Sequence, residues 1–297
     1  MALVTMKEML SDARRRHYCV AAFDVSNYEM ARNVVDVAAE EKAPVILMGL
    51  KNDLVNGGLS YLSSICRIAA QSVPVPVAVH LDHAVDFDLI KNVIDAGFTS
   101  VMFDGSTLPF DENAAKTKEV CDYAHARGIT VEAELGHVTT AILGSGGMGE
   151  TGLLDENNLD DPDEYLTNPT DVERFVAITK VDALAVAVGT VHGVYVHKPK
   201  MHFDRLRDIE AISKAPLVLH GGSGTPDDDI RKCVELGVTK INIFSEILCA
   251  YNTALKDTLD HLENLSSWPC VTFDAANKAQ REMIRRKIRL FGGNGKA

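Results

Sequence analysis

The sequence lacks the features that mark several specialised classes of protein. Its six cysteines are scattered and include no Cys-x-x-Cys pair, which argues against a disulfide framework and favours reduced core residues of a cytosolic protein. No segment approaches the ~20 apolar residues of a membrane span, and residues 1–16 lack the apolar stretch of a signal peptide. We therefore expect a soluble, cytoplasmic protein.

Positive charge is also scarce. The chain has 30 Lys and Arg residues against 42 Asp and Glu residues, a net charge of -12, which argues against binding to nucleic acid or to an anionic membrane. The exception is the basic run 285–289 near the C-terminus. We interpret this run as a solvated helix face, with an anion-binding role as the minor alternative.

Two catalytic motifs are present only in part. Residues 144–149 fit the Gly-x-Gly-x-x-Gly pattern, but Glu-Thr-Gly follows them instead of a helix, so the context of a dinucleotide-binding turn is missing. Residues 220–222 resemble the oxyanion loop of a hydrolase, yet no Gly-x-Ser-x-Gly sequence exists to supply the nucleophile. These two classes of site are therefore excluded.

What the sequence does contain is a regular alternation of short β-branched runs and amphipathic segments. Eight βα units in ~250 residues, with strands apolar enough to be covered on both faces, predict a (β/α)8 TIM barrel with extra C-terminal helices. No linker or repeat divides the chain, so we expect one domain over residues 1–297. The predicted strands are 19–25, 44–49, 75–82, 100–105, 130–135, 183–189, 216–221 and 240–245.

Two segments depart from this alternation of predicted strands and helices. Residues 136–168 are long, Gly-rich and acidic, which is typical of a mobile loop over an active site. Residues 246–297 add helical segments, 246–265 and 275–290, that a closed barrel does not need. We expect this extension to pack against a partner subunit in a homodimer or homotetramer.

Metal-binding side chains follow three of the predicted strands. His83, His192 and His220 lie at the ends of the third, sixth and seventh strands, and strand ends converge at one face of such a barrel. Three imidazoles with an open fourth position are typical of a catalytic zinc site. The alternative is that each histidine is separately a hydrogen-bonded core or surface residue.

Other polar groups gather at the same face. Asp82 adjoins a proposed ligand and could act as an acid or base beside the metal, or else as a structural carboxylate. His80 shares its strand face and is expected to support it. The Gly-rich turns 189–193 and 220–224, with Asn242 and Ser245, predict an anion cradle, unless their glycines serve only as turns.

Several motifs together resemble the zinc-dependent class II ketose-bisphosphate aldolases, along essentially the whole chain. Within that family the sequence resembles most the tagatose-bisphosphate aldolase branch and its less characterised sugar-aldolase relatives. The motifs are residues 80–84 (His-Leu-Asp-His-Ala), 100–106 (Ser-Val-Met-Phe-Asp-Gly-Ser), 131–136 (Val-Glu-Ala-Glu-Leu-Gly), 189–195, 220–224, 240–245 and the closing 287–293.

This resemblance implies roles for most candidate residues. Zinc would be held by His83, His192 and His220, with Asp82 moving a proton at the oxygen on the aldehyde side. Asp104 and Glu134 are expected to support the metal site, Glu134 also as an alternative metal contact, and Asn27 to contact the substrate. The phosphate of a dihydroxyacetone-phosphate-type donor, often with Na⁺ or K⁺ nearby, would be held by Gly193, Gly221, Ser223, Asn242 and Ser245.

The sequence also departs from the family. The acid or base that exchanges the proton at carbon is expected on the loop after the fifth strand, with Glu150 as the candidate and Glu156 as the alternative. Phe244 replaces an Asp of the fructose-bisphosphate branch, which argues against fructose 1,6-bisphosphate as the substrate. A phosphate-contacting lysine is matched only by Lys198, one position late, so we expect an unusual acceptor aldehyde, with a non-phosphorylated one among the candidates.

The predicted function is zinc-dependent, reversible aldol cleavage of a ketose phosphate to dihydroxyacetone phosphate, or an analogue, and an aldehyde. A Lewis-acid metal would stabilise the negative charge that cleavage leaves beside the ketone. A Schiff-base lysine is disfavoured because Lys180 and Lys240 are expected at the opposite end of the barrel. The alternatives are a non-catalytic barrel subunit that stabilises a partner aldolase and, more weakly, a zinc hydrolase.

Overall fold

Eight parallel strands close into a barrel in the computed structural model, which describes residues 3–139, 165–193 and 199–297. Each strand pairs with the next along the chain, and β8 pairs with β1. The strands are β1 (Val20–Asp24), β2 (Val45–Leu50), β3 (Val77–Ala84), β4 (Ser100–Phe103), β5 (Thr130–Leu135), β6 (Ala183–Val186), β7 (Leu217–Leu219) and β8 (Val238–Ile243). The predicted (β/α)8 barrel is confirmed.

Helices precede, separate and follow the strands. Helix α1 comes before β1, α2 to α9 lie between successive strands, and α10 to α12 form the predicted C-terminal addition. The helices are α1 (Met6–Arg16), α2 (Tyr28–Glu41), α3 (Lys51–Leu54), α4 (Gly58–Gln71), α5 (Phe87–Asp95), α6 (Phe110–His125), α7 (Pro169–Thr179), α8 (Phe203–Ile212), α9 (Asp227–Glu235), α10 (Ser245–His261), α11 (Pro269–Thr272) and α12 (Asp274–Leu290).

Local sequence explains where several helices begin and end. The side chains of Asn27 and Asn168 accept hydrogen bonds from backbone N–H groups in the first turns of α2 and α7. Gly97 and Gly237 follow α5 and α9 with φ angles of +92° and +99°, a left-handed conformation that favours glycine. These caps turn the chain from each helix into the following strand.

Alternation along the strands divides the core in two. One set of side chains packs outward against the helices, and the other fills the barrel interior. The N-terminal half of the interior is apolar, with Val20, Ile46, Ala78 and Val218 packed against Leu10 of α1. Helix α1 therefore covers that end of the barrel, and the polar side chains are confined to the opposite end.

The basic run on α12 is the predicted solvated helix face only in part, because Arg286 and Arg289 are exposed whereas Lys287 is buried. Arg285 and Arg289 form ion pairs with Glu41 on α2, and the side chain of Lys287 is buried with its Nζ 2.5 Å from Oε2 of Glu246. These charges fasten α12 to the barrel because α12 packs between α2 and α10. The prediction of a solvated face is therefore confirmed for Arg286 and Arg289 and wrong for Lys287.

Two further expectations need correction or lie outside the described residues. Four cysteines are buried and all six are free, but Cys249 and Cys270 are exposed, so the prediction of core cysteines is wrong for these two. Most of the predicted loop 136–168 lies outside the described residues, as do Glu150, Glu156 and Lys198. No helix in the described part of the chain has the length and apolarity to cross a membrane.

Candidate active site and metal centre

The C-terminal half of the barrel interior carries polar side chains in place of apolar ones. The alternation that points Val20 and Ala22 inward on β1 also points Asp24 inward, and the same spacing of two places His80 and Asp82 on β3. Glu132 and Glu134 on β5 and Lys240 and Asn242 on β8 follow the same rule, and all these side chains are buried. The polar cluster is therefore a product of strand register.

Three histidines converge above this layer. The ring centroid of His83 lies 4.8 Å from that of His192 and 4.5 Å from that of His220, and the last two are 5.7 Å apart. One ligand nitrogen from each ring lies within 4.8 Å of the other two. His83 reaches this position with a left-handed φ of +46°, beside a register shift between β3 and β4. The structure thus brings together the three predicted ligands.

Two of the three histidines are oriented by carboxylates. Nδ1 of His83 lies 2.8 Å from Oδ2 of Asp104, and Nε2 of His220 lies 2.9 Å from Oε1 of Glu132. Because a carboxylate accepts hydrogen bonds, both nitrogens are assigned the proton. Nε2 of His83, Nε2 of His192 and Nδ1 of His220 are buried and have no hydrogen-bond partner among the described residues. This donor set fits a metal ion with nitrogen ligands such as zinc.

The electrostatics of the site also suit a cation. Burial, and then the charge on His83, lowers the pKa of His192 well below its usual value, so this imidazole is neutral as a metal ligand must be. For His83, burial lowers the pKa, but the carboxylates of Asp82 and Asp104 outweigh it and raise the pKa to about 10. In the metal-free site, His83 therefore carries a positive charge among the carboxylates, which a metal ion would replace.

Asp82 is held by a chain of buried hydrogen bonds. Nδ2 of Asn242 donates to Oδ1 of Asp82 at 3.0 Å, and Nζ of Lys240 donates to Oδ1 of Asn242 at 2.7 Å. Burial raises the pKa of Asp82, but the positive charges around it, led by that of His83 and including Lys240, outweigh burial and leave the pKa below its usual value. A carboxylate that stays ionised beside the three histidines can accept a proton there.

Lys240 is placed differently from our prediction. It is the third residue of β8, not the first, and its buried ammonium also lies 2.9 Å from Oε2 of Glu132 inside the barrel. The expectation that Lys240 lies at the opposite end of the barrel is therefore wrong. Its ammonium is engaged by Glu132 and Asn242, whereas a Schiff-base lysine must have its nitrogen free to attack a carbonyl.

The other residues predicted to support the metal site, His80 and Glu134, lie beside the histidines and Glu132. Nδ1 of His80 lies 3.0 Å from the Ser100 hydroxyl, and its Nε2 lies 3.8 Å from Glu132. Oε2 of Glu134 is 3.5 Å from Nδ1 of His220 and has no hydrogen-bond partner in the described part of the chain. Its Oε1 accepts from the N–H of Val138 at 2.9 Å. Glu134 is thus placed where a metal at the histidines would be within reach.

The predicted anion cradle combines glycine turns with a helix start. Gly221 has φ of +67°, and a Cβ there would lie 2.3 Å from the carbonyl oxygen of Val191, so only glycine fits. Ser245 is the first residue of α10, and the Ser223 hydroxyl accepts from the N–H groups of Phe244 and Glu246 at 3.1 and 3.4 Å. The N-terminus of α10 thus lies at the mouth of the barrel, where backbone N–H groups favour an anion.

Three other predicted contacts are described only in part. Asn27 caps α2 by accepting from the N–H of Met30 at 2.9 Å, Asn242 is bonded to Lys240 and Asp82, and Gly193 has φ of +96°. Substrate contacts by these residues stay predictions.

Glu132 was not assigned a role from the sequence, although its spacing of two from Glu134 on one strand is the signal that places it inside the barrel.

The model of the family described as fructose-bisphosphate aldolase class-II matches residues 4–296 of the chain. The chain belongs to the class II aldolase family. The 6-phospho-5-dehydro-2-deoxy-D-gluconate aldolase of Halalkalibacterium halodurans is 41% identical over 100% of this chain and 99% of its own. This class II aldolase is therefore an enzyme, a carbon–carbon lyase, which argues against the alternative of a non-catalytic subunit.

Solved structures of aldolases share the fold of this class II aldolase. The crystal structure of the YdjI aldolase from Escherichia coli K12 superposes with a TM-score of 0.84 at 34% identity and covers 99% of both chains. The fructose-bisphosphate aldolase of Campylobacter jejuni superposes with a TM-score of 0.81 at 20% identity, over 100% of this chain and 97% of its own. The second likeness is evidence for the fold alone.

Proposed function

We propose that the enzyme uses zinc at His83, His192 and His220 to cleave a ketose phosphate reversibly into dihydroxyacetone phosphate and an aldehyde. The observation that carries the proposal is the convergence of three buried ring nitrogens that have no hydrogen-bond partner in residues 3–139, 165–193 and 199–297. Two of the rings are oriented by carboxylates, as metal-bound histidines commonly are. Bound zinc would supply Lewis-acid stabilisation of the negative charge that forms beside the ketone.

Protein side chains would handle the protons. Asp82 accepts the hydroxyl proton of the carbon that becomes the aldehyde, and returns it in the synthetic direction. Its orientation is fixed by Asn242, whose amide N–H donates to Oδ1. The partner that exchanges the proton at carbon is assigned to Glu150, with Glu156 as the alternative, both outside the described residues.

The donor phosphate is assigned to the loops after β6, β7 and β8. The support for this assignment is the start of α10 at Ser245, the cap that Ser223 provides and the close turn at Gly221. Gly193, Asn242 and Lys198 complete the proposed set. Asn27 as a substrate contact, a monovalent cation, and a homodimer or homotetramer stay predictions.

For the substrate we propose two candidates. One is tagatose 1,6-bisphosphate, from the branch that the motifs resemble. The other follows from the 41% identical relative, whose name specifies 6-phospho-5-dehydro-2-deoxy-D-gluconate. Cleavage of that compound beside its ketone also gives dihydroxyacetone phosphate, together with a non-phosphorylated aldehyde that bears a carboxylate. We favour the second candidate because the relative matches over the full length of both chains.

A cleavage assay tests this proposal. The purified enzyme, loaded with zinc and quantified for bound metal, is offered both candidates and fructose 1,6-bisphosphate, and dihydroxyacetone phosphate is trapped by a coupled reductase. We expect cleavage of at least one candidate, with fructose 1,6-bisphosphate the poorest of the three. His83→Ala is expected to lose both zinc and cleavage. Full activity of metal-free enzyme, or no release of dihydroxyacetone phosphate from any ketose phosphate, would contradict the proposal.

A further inference from the structure

Lys240 is a buried cation inside the barrel with no assigned role in the reaction. Its side chain has no exposed surface, and its ammonium lies 2.9 Å from Oε2 of Glu132 and 2.7 Å from Oδ1 of Asn242. A lysine ammonium loses its hydration when it is buried, so it persists only with such partners. Each of these two partners leads to a different group of the proposed active site.

The first branch reaches the metal site. The carboxylate of Glu132 is shared between the ammonium of Lys240 and Nε2 of His220, which lies 2.9 Å from Oε1. The ammonium fixes one oxygen of the carboxylate, and because the other oxygen accepts from His220, the His220 proton is placed on Nε2. Nδ1 is then left with its lone pair toward the other two histidines.

The second branch reaches Asp82. The side-chain amide of Asn242 could be turned by 180°, which would exchange its oxygen and its nitrogen. Lys240 carries only donors, so it selects the orientation in which the amide oxygen faces the ammonium. The amide N–H then points to Oδ1 of Asp82, at 3.0 Å. Without the ammonium, the amide oxygen loses its partner, and only the Asp82 carboxylate is left to hold the amide in this orientation.

We propose that Lys240 is a positioning residue that sets two groups at once, the metal-binding tautomer of His220 through Glu132 and the orientation of Asp82 through Asn242. Lys240 itself touches neither metal nor substrate. The inference rests on the proposed function, and it adds that metal binding and proton transfer share one buried charge.

The test compares Lys240→Met with Lys287→Met. Lys287 is the matched control because its side chain is equally buried and paired with one carboxylate, that of Glu246, outside the barrel. Zinc affinity is measured by competition with a chromophoric chelator. We expect Lys240→Met to bind zinc roughly 10–100-fold more weakly, as for loss of other groups that orient metal ligands. Lys287→Met is expected to lose stability but not zinc affinity.

A second readout isolates the branch to Asp82. At saturating zinc, we expect Lys240→Met to cleave substrate with a kcat lower by on the order of 10-fold or more, because Asp82 is misplaced. Exchange of the carbon-bound hydrogen of dihydroxyacetone phosphate with deuterated solvent uses the other acid or base. That exchange is expected to stay near the wild-type rate, a split that a general loss of structure would not produce.

Lys240→Met removes the cation that is paired with the buried Glu132 carboxylate and is expected to cost stability, so the double variant Lys240→Met/Glu132→Gln is made alongside it. The double variant removes both charges and is also expected to bind zinc weakly. If either folded variant kept wild-type zinc affinity and an unchanged ratio of the cleavage rate to the hydrogen-exchange rate, the role of Lys240 would be overturned and the proposed function would stand. Borohydride trapping of Lys240 on dihydroxyacetone phosphate would overturn that role too. A wild-type enzyme that binds no zinc would instead overturn the proposed function.

Discussion

Replacing Asp104 by Asn tests the metal centre without touching a proposed ligand. The Asp104 carboxylate faces Nδ1 of His83 at 2.8 Å through Oδ2, and its Oδ1 accepts from the N–H of Ser106 at 3.1 Å. An asparagine has one oxygen for these two donors, so an amide NH₂ must face one of them. Either His83 moves its proton to Nε2, which blocks the metal-facing nitrogen, or the turn at Ser106 loses its bond.

The expected cost is a loss of zinc affinity. Removing the carboxylate that orients a metal-bound histidine typically weakens metal binding 10–100-fold, or about 1.4–2.7 kcal/mol. Zinc competition with a chelator measures this change directly. We expect the loss of affinity for Asp104→Asn to fall in this range while the fold, followed by circular dichroism, is retained.

A second buried aspartate provides the control. Asp182, just before β6, also contacts a histidine and a backbone N–H, at the other end of the barrel. Its Oδ2 lies 2.7 Å from Nε2 of His125 and 2.9 Å from the N of Val131, and its Oδ1 pairs with Lys7. Asp182→Asn is expected to lower stability and leave zinc affinity unchanged. If Asp104→Asn bound zinc as tightly as wild type, or if both variants lost affinity equally, the reasoning about His83 would be refuted.

Three further predictions concern stability. Gly221→Ala places a Cβ against the Val191 carbonyl in a left-handed turn, and urea denaturation is expected to show a loss of at least about 2 kcal/mol. Burial, and then Asp82, raises the pKa of Asp24 well above its usual value, so the folded zinc-free protein loses stability as pH rises from about 4 through that pKa. Asp24→Asn should therefore raise the midpoint of thermal unfolding more at pH 8 than at about pH 5, and a constant difference would contradict this. The hydrogen bond from Arg289 lowers the pKa of Glu41, so the ionised Glu41 carboxylate stabilises the fold at neutral pH and this stabilisation is lost as the pH falls below about 4.3. Thermal unfolding of wild type and Glu41→Gln, measured against pH, is therefore expected to show a stability difference that narrows only in acid.

Much of the fold could be predicted from the sequence because each strand is a compact, doubly buried run. The fifth strand, Thr130–Leu135, was predicted to the residue, since Gly128 closes the preceding helix and the apolar alternation begins at once. The eighth was placed two residues late because Val238 and Thr239 follow Gly237 without a turn signal of their own. That error put Lys240 at the start of its strand instead of inside the barrel.

The three histidines were predictable because strand ends meet at one face of a barrel regardless of their distance in sequence. The carboxylates that orient these histidines were less predictable. The contact from Glu132 to His220 joins β5 and β7, which are not neighbours, so no pairing rule predicts it. It depends on the radius of the barrel and the rotamers of both side chains. The ion pairs of the basic run on α12 were equally hard to predict, because their partners Glu41 and Glu246 lie on other helices that are distant in sequence.

The backbone of His83 has an evolutionary consequence. Its φ of +46° is a conformation in which non-glycine residues cost of order 1–3 kcal/mol, although asparagine and glycine tolerate it better. Selection for stability and selection for metal binding therefore favour different residues at position 83. In a descendant freed from the reaction, we expect the histidine to be replaced early, and by glycine or asparagine more often than by alanine. Relatives of this barrel that have lost their chemistry should carry that substitution at the end of the third strand.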